Sequence, residues 1–383
     1  MTSPQHPGGR RAGGLTRPTG GEATAEYVPV LQARQGELLA LGKLDRSEMP
    51  QVHPVLEAVC YKDNMPLRQT TMRLAELVTA ELLKGTVPAV DCVHLDRRYG
   101  LSGDTPLQSV SEDLALMMIP MRPVVRVASG GLIERVLLAA AEAADVHGEG
   151  ALVRVVATSR LSSQTEVHRR SREEELVDRV ATVVERLGGR AEQLDLLVDF
   201  GAIGGRLEVE GAVHSLHQTL AALAGWPWRR IAVAAAAFPD RITSVPLGQC
   251  VAFPRLDADL WRQSVTGAPE LSGRLGFGDY GVAGTSLPRD GFPKPNLRYT
   301  AHTCWHTYRY PSAPNGGFST FYDLCRDVTE ALWWSGEDYS WGDGQIALRA
   351  RRVGGPGGAA QWRAFALSHH VSMVLAELAG EAR

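Results

Sequence analysis

The feature that most limits the fold is a regular alternation of short apolar runs with longer amphipathic segments between residues 27 and 280. Most runs are apolar at nearly every position, which is typical of strands in a parallel sheet covered on both faces. Strands that alternate with helices form such a sheet through right-handed crossovers. The runs are Tyr27–Ala33, Val52–Val59, Ala89–Leu95, Met117–Val127, Leu152–Ala157, Leu194–Phe200, Arg230–Phe238 and Gly273–Tyr280.

The number of runs favours a barrel, because eight strand candidates in sequence match a closed (β/α)8 arrangement. An open doubly wound sheet usually begins with a Gly-rich phosphate loop, whereas the first run here leads into Arg34-Gln35-Gly36-Glu37. The third unit is weak, since residues 96–112 are short and rich in turns, so a distorted or incomplete barrel stays open. We predict an α/β, TIM-like barrel. Its predicted helices are Thr70–Leu83, Gly131–Ala144, Glu173–Leu187 and Val213–Ala224.

Three regions are predicted along the chain. Residues 1–25 have almost no large apolar side chains and are expected to form a disordered tail. Residues 26–285 are expected to form the barrel, and residues 286–383 a C-terminal α+β extension packed on it, with no Pro-rich or Ser-rich linker between them. The extension is predicted to contain a strand-like segment Leu297–Tyr310, a helix Phe318–Trp334, a strand Gln345–Arg352 and a final helix Trp362–Leu378.

Composition narrows the functional classes. The net charge of −3 argues against a global basic field for nucleic acid or an anionic membrane. The five cysteines are odd in number and no pair has Cys-x-x-Cys spacing, which argues against a disulfide framework or a zinc ribbon. No signal-peptide pattern and no run of about 18 apolar residues is present. We therefore expect a cytoplasmic protein without a membrane partner.

Charged residues at the strand ends indicate where a site would lie, because barrel enzymes use the C-terminal ends of their strands. Carboxylates placed there could hold a divalent cation through oxygen ligands, and arginines could clamp a phosphate. The structural alternative is a set of buried acid–arginine pairs that only stabilise the core. Asp96 is the acid expected at the end of the third strand. The candidate catalytic residues are Glu57, Asp199 and Asp279, and the candidate ligand-binding residues at the mouth are Arg34, Arg126, Arg154 and Tyr280.

The C-terminal third is rich in aromatic and polar residues that no core pattern requires. Trp341 could stack on a base or anchor the extension on the barrel. His369 and His370 are adjacent on a predicted helix, so their side chains diverge by about 100° and cannot form an i, i+4 metal pair. The metal ligands and the cofactor stay unassigned, with a divalent cation as one option. The ligand-binding candidates in this region are Arg298, Trp341, Asp343, Arg363 and His369.

Several short motifs occur in a consistent order over residues 27–378. They are Tyr27-Val28-Pro29-Val30-Leu31, Phe238-Pro239, Pro254-Arg255-Leu256-Asp257, Gly278-Asp279-Tyr280-Gly281, Asn296-Leu297-Arg298-Tyr299-Thr300, Ser340-Trp341-Gly342-Asp343 and Trp362-Arg363 with His369-His370. Together they resemble the phage-type beta protein family. Gln32-Ala33-Arg34 departs from a Lys-rich element of that family, and Asp257 stands where the family tends to have Glu. The resemblance implies a fold and a site location but no settled activity, and a setting in phages, mobile elements or antiviral defence.

Two hypotheses for function follow. The first is that the barrel mouth binds an anionic, phosphate-containing ligand such as a nucleotide, with metal-assisted hydrolysis of a phosphoester as its reaction. The second is a non-catalytic recognition or scaffold protein that binds a peptide or nucleic acid in a phage-related or antiviral defence system. A protein partner from such a system is expected under the second hypothesis.

Overall fold

The computed structural model describes residues 25–82, 85–100, 104–128, 131–159, 166–287, 294–314 and 317–380, without the side chains of 166–170. The predicted tail, apart from Ala25, and Leu83 lie outside these residues. The strands are β1 Val30–Gln32, β2 Val55–Glu57, β3 Ala89–Asp91, β4 Arg122–Val127, β5 Ala151–Val156, β6 Leu194–Ala202, β7 Arg230–Ala236, β8 Gln249–Pro254, β9 Leu275–Asp279, β10 Asn296–Thr300 and β11 Cys304–Arg309. The helices are α1 Gln35–Leu41, α2 Leu67–Glu81, α3 Val93–Tyr99, α4 Pro106–Leu116, α5 Glu134–His147, α6 Glu166–Arg186, α7 Arg206–Ala222, α8 Leu256–Gly267, α9 Thr320–Thr329, α10 Trp341–Ala350 and α11 Ala359–Leu378.

Eight parallel strands form the barrel in the order β1 to β7 and then β9, which confirms the predicted fold class. The segment before β1 closes it. The Val28 amide donates to the Phe277 carbonyl at 2.7 Å, and the Phe277 amide donates to the Glu26 carbonyl at 2.9 Å. The third predicted strand was too long, because β3 ends at Asp91 and α3 begins two residues later.

The barrel interior has three levels, because successive side chains of a strand point to opposite faces. Along β6, Asp195, Leu197 and Asp199 share the inward face, so a carboxylate stands at each end of an apolar middle. At the N-terminal end Asp195 accepts from Arg229 at 2.7 Å and from Arg230 at 3.1 Å. The apolar interior of the barrel is formed by Val28, Val30, Val55, Ala89, Val124, Leu152, Leu197, Ala232, Ala234 and Ala236.

Helix α11 completes the outer layer of the barrel, in the position where an eighth barrel helix would follow β9. On one side it packs on α1, where a Cβ at Gly36 would stand 2.6 Å from the Ala360 carbonyl oxygen. On the other side Glu377 accepts from Nη1 of Arg255, at the start of α8, at 2.8 Å. The predicted final helix is therefore part of the barrel wall, and only a glycine at position 36 permits this approach.

The remaining C-terminal elements form a three-stranded antiparallel sheet in the order β10, β11, β8 with α9 and α10 nearby. The predicted strand-like segment is two strands joined by a turn at 301–303, and β8 was not predicted. The predicted strand Gln345–Arg352 was wrong, because most of it lies in α10. Ser340 caps this helix by accepting from the Asp343 amide at 3.1 Å. No described helix combines the length and apolar composition that crossing a bilayer requires.

Candidate functional site

The C-terminal end of the barrel is organised around Arg154, an inward-facing residue of β5 that is fully buried. Its Nη1 donates to Glu57 Oε1 at 2.9 Å and to Asp91 Oδ2 at 2.7 Å. Its Nε and Nη2 donate to Asp199 Oδ2 at 2.9 and 2.7 Å. Nη2 also donates to the Tyr280 hydroxyl at 2.7 Å. One guanidinium thus joins residues from β2, β3, β5 and β6 and the residue after β9.

The other oxygens of the three acids are occupied as well. Each accepts a hydrogen bond from a group other than Arg154, so all six carboxylate oxygens have a donor. Among the described residues no group of three or more acid, histidine or cysteine side chains is arranged to hold a metal ion. The additional donors are His94 Nε2 to Glu57 at 3.1 Å, the Val93 amide to Asp91 at 3.0 Å and the Gly201 amide to Asp199 at 2.9 Å.

These contacts set the protonation of the cluster. Burial works to raise the pKa of Glu57, but the hydrogen bond to His94 and the charge of Arg154 hold it below its ordinary value. Burial raises the pKa of Tyr280 well above its ordinary value, so its hydroxyl stays protonated and donates to Asp199 Oδ2 at 2.9 Å. We call Glu57, Asp91, His94, Arg126, Arg154, Asp199 and Tyr280 the Arg154 network.

A cavity of about 1300 Å³ lies above this network, at the mouth of the barrel. Arg126 borders it, is 24% exposed and lies 3.2 Å from Asp91. Arg34 also borders it, is half-buried, and has neither an ion pair nor a side-chain hydrogen bond among the described residues. Burial lowers the pKa of Arg34, with Glu37 opposing and Arg363 adding to this effect. Other cationic residues around the cavity are Lys62, Arg97 and Arg98.

A second polar cluster lies on the outer face of the barrel, under α11. Tyr280 points into the barrel, and the preceding residue Asp279 points the other way. Asp279 accepts from the Tyr27 hydroxyl at 2.7 Å and the Gly281 amide at 2.8 Å, and it contacts His370 Nε2 at 2.7 Å. Burial works to raise the pKa of Asp279, but the charge and hydrogen bond of His370 hold it below its ordinary value.

The cluster continues through the two consecutive histidines. His370 Nδ1 lies 2.9 Å from the Thr300 hydroxyl, and His369 Nε2 donates to the Thr300 carbonyl at 2.8 Å. His369 Nδ1 lies 2.9 Å from Asp343 Oδ2, and the Tyr299 hydroxyl donates to Asp343 Oδ1 at 2.9 Å. Both histidines are fully buried with both ring nitrogens occupied. We call Tyr27, Asp279, Tyr299, Thr300, Asp343, His369 and His370 the α11 network.

The candidate residues proposed from the sequence lie in different parts of the structure. Glu57, Asp199 and Arg154 meet at the mouth, and Arg34, Arg126 and Tyr280 border its cavity. Asp279 belongs to the α11 network and does not join the other two candidate acids. The other candidates make structural contacts: Arg298 with the Val282 carbonyl and the Phe238 ring, Arg363 with Glu37 at 2.7 Å, Trp341 with Phe365 at 5.5 Å, and Asp343 with His369.

Two residues of the Arg154 network were missed from the sequence, Asp91 and His94. The third strand was predicted to extend to Leu95, so Asp96 was taken as the acid at its C-terminal end. In the structure Asp96 lies on α3, and burial together with Asp91 raises its pKa to about 6. The signal for Asp91 was present, because it is the first charged residue after the apolar pair Ala89–Val90. His94 had no comparable signal.

The comparison with known families agrees with the motifs. A sequence model of the family described as Beta protein matches residues 27–376, nearly the whole chain. No curated protein matches the sequence significantly.

Proposed function

The chain belongs to the Beta protein family, and from its barrel mouth we propose that it binds an anionic, phosphate-containing ligand in the cavity above the Arg154 network. The cavity of about 1300 Å³ is large enough for a nucleotide, since pockets for drug-sized ligands enclose about 300–1000 Å³.

The observation that carries the proposal is that the Arg34 guanidinium has neither an ion pair nor a side-chain hydrogen bond among the described residues. Each oxygen of the three acids of the mouth already accepts a hydrogen bond, from Arg154, from His94 or from a backbone amide. A half-buried guanidinium without a carboxylate gains most from an anion that can accept two hydrogen bonds at once. Arg97 and Lys62, exposed at the rim, extend the same positive field.

Recognition is favoured over the metal-assisted hydrolysis that the sequence suggested. An acid that holds a divalent cation must present free oxygens to it. Here each oxygen of Glu57, Asp91 and Asp199 already accepts a hydrogen bond, and freeing one would leave a buried cation partly unpaired. The phage-related or antiviral defence role stays a prediction from the family resemblance, and the cytoplasmic location stays a prediction from the sequence.

Titration calorimetry and thermal shift with inorganic phosphate, pyrophosphate and nucleoside phosphates test the proposal. We expect binding that weakens with added salt, because the rim charges are exposed to solvent. Arg34→Ala should weaken binding about tenfold or more, by removal of one charge-assisted pair.

Arg190→Ala is the matched control. Arg190 is exposed and precedes β6, so it lies at the opposite end of the barrel, and its loss should leave affinity unchanged. Absence of any shift with these anions, or equal affinities for Arg34→Ala and the parent, would reject the proposal. Selective binding of a peptide or an oligonucleotide instead would favour the alternative function.

A further inference from the structure

His94 is the one histidine that the structure brings to the mouth cavity, within the residues described. It is the second residue of α3, and its side chain is 13% exposed. Its Nε2 lies 3.1 Å from Glu57 Oε2, while Nδ1 has no hydrogen-bond partner in the described part of the chain. One ring nitrogen is thus held by the protein, and the other is unpaired among the described residues.

The partner of His94 determines which nitrogen carries the proton. The other oxygen of Glu57 accepts from Arg154 at 2.9 Å, which keeps Glu57 as a carboxylate and hence as an acceptor. Nε2 of His94 must therefore be the donor, and in the neutral ring Nδ1 then carries the lone pair. A carboxylate that fixes the tautomer and orientation of an imidazole is the arrangement by which hydrolases make histidine a base.

We propose that the mouth cavity hydrolyses a phosphoric ester, with Nδ1 of His94 as the group that transfers the proton and Glu57 as the residue that positions it. This inference rests on the proposed function, because Arg34 and Arg126 must first hold the phosphoryl oxygens. Water supplies the nucleophile, and no other co-reactant is needed.

The step balances as follows. The water oxygen forms a bond to phosphorus while Nδ1 takes one of its protons. The phosphorus–oxygen bond to the alcohol group breaks, and the departing oxygen receives the proton from Nδ1. The products are the alcohol and the phosphate, and His94 returns to its neutral form. A positioned general acid–base group of this kind contributes about 10²- to 10⁴-fold to a rate.

Hydrolysis of p-nitrophenyl phosphate and bis(p-nitrophenyl) phosphate, measured in EDTA, tests the inference, with inorganic phosphate affinity measured on the same samples. His94→Ala should lower turnover about 100-fold or more while phosphate affinity stays within about threefold. Added imidazole should restore part of the lost turnover, because the free ring can occupy the space beside Glu57. A purely structural histidine would give no such rescue.

His53→Ala is the matched control, since His53 Nε2 lies 3.3 Å from Glu26 Oε1 in a similar pair at the opposite end of the barrel. It should leave turnover unchanged. A parent protein that binds phosphate but cleaves neither ester, or a His94→Ala protein as active as the parent, overturns the inference while the binding proposal stands. A parent that binds no phosphate rejects the binding proposal and, with it, this inference.

Discussion

The Arg154 network and the α11 network are built from the same kinds of groups, yet among the described residues only the first borders the mouth cavity. Each contains carboxylates, tyrosine hydroxyls and histidine, and each joins several elements by hydrogen bonds of 2.7 to 3.2 Å. At the mouth, however, Nδ1 of His94 and the guanidinium of Arg34 have no protein partner within the described residues. Under α11, both nitrogens of His369 and of His370 are occupied.

This difference separates a structural polar cluster from a candidate site. Burying an unpaired polar group costs folding free energy, so a fully paired cluster is explained by its role in the fold. The α11 network attaches β9 to the helix that completes the barrel wall, and this structural role is sufficient to account for the network. Groups left unpaired beside open space have no such reason, and they point to a ligand.

The largest effect is expected at the centre of the mouth. Arg154→Leu would leave Glu57, Asp91 and Asp199 buried without their shared cation, so we expect a loss of about 3–5 kcal/mol in the free energy of unfolding. Urea denaturation measures it. Arg126→Leu is the control, because Arg126 is partly exposed and contacts only Asp91 closely, at 3.2 Å. Similar losses for the two variants would contradict the central role of Arg154.

Asp279→Asn tests the α11 network. The substitution removes the charge that faces His370 at 2.7 Å and should cost about 1.5–3 kcal/mol, the range for hydrogen bonds to charged groups. Phosphate affinity should not change, because Asp279 points away from the cavity. Calorimetry on the folded variant checks this. A loss of phosphate binding larger than that of Arg34→Ala would place Asp279 in the site after all.

The sequence predicts the barrel well because its signal is local. Each strand is a run of apolar residues. Charged residues in the C-terminal half of a run, such as Arg126, Arg154 and Asp199, can be recognised in the sequence. The helix α10 was mistaken for a strand although Ser340 and Asp343 form a recognisable cap. Strand β8 is largely exposed, and its apolar run Cys250–Phe253 is only four residues long, so it was not identified from the sequence.

The division of the candidates between the two networks could not be predicted in the same way. Asp279 and Tyr280 are neighbours, and which of them faces the interior depends on the register of β9 with β7 and with Tyr27. A one-residue shift would exchange their faces. The role of His369 and His370 depends on the packing of α11 over Thr300, about 70 residues earlier in the chain.

A pH effect should arise beside the α11 network. Asp257 is fully buried beside Arg255 and Asp279, and no side chain hydrogen-bonds to it among the described residues. Burial raises the pKa of Asp257 to about 7. The charge of Arg255 works to lower this pKa, and the charge of Asp279 works to raise it. The native state therefore holds a proton that the unfolded chain releases near pH 4, so stability falls as pH rises from about 4 to 7.

Asp257→Asn removes this titration. Its stability relative to the parent should rise by about 2 kcal/mol between pH 5.5 and pH 8, since one pKa unit corresponds to about 1.4 kcal/mol. Urea denaturation of both proteins across this range measures the difference, in which the other titrating groups largely cancel. Parallel stability curves would show that Asp257 titrates alike in the native and unfolded states.

The smallest effect concerns the reactivity of two cysteines, one that borders the mouth cavity and one that does not. Cys60 borders the mouth cavity, and its Sγ lies 3.3 Å from the Tyr99 hydroxyl. Burial works to raise the pKa of Cys60, but hydrogen bonds beginning with that of Tyr99 hold it below its ordinary value. Partial burial raises the pKa of the Cys250 thiol, and Cys250 is not among the residues that line the cavity. Cys60 should therefore carry the larger thiolate fraction, and the thiolate is the form that reacts.

Alkylation with iodoacetamide at pH 7.5, followed by mass spectrometry of the two peptides, measures both rates within one protein. We expect Cys60 to react several-fold faster than Cys250, because the lower intrinsic nucleophilicity of a low-pKa thiolate offsets only part of its advantage. Saturating phosphate should slow Cys60 alone, since an anion held by Arg34 would occupy the same cavity. Equal protection of Cys250 would mean that phosphate acts on the whole chain, and it would contradict specific binding of phosphate at the mouth.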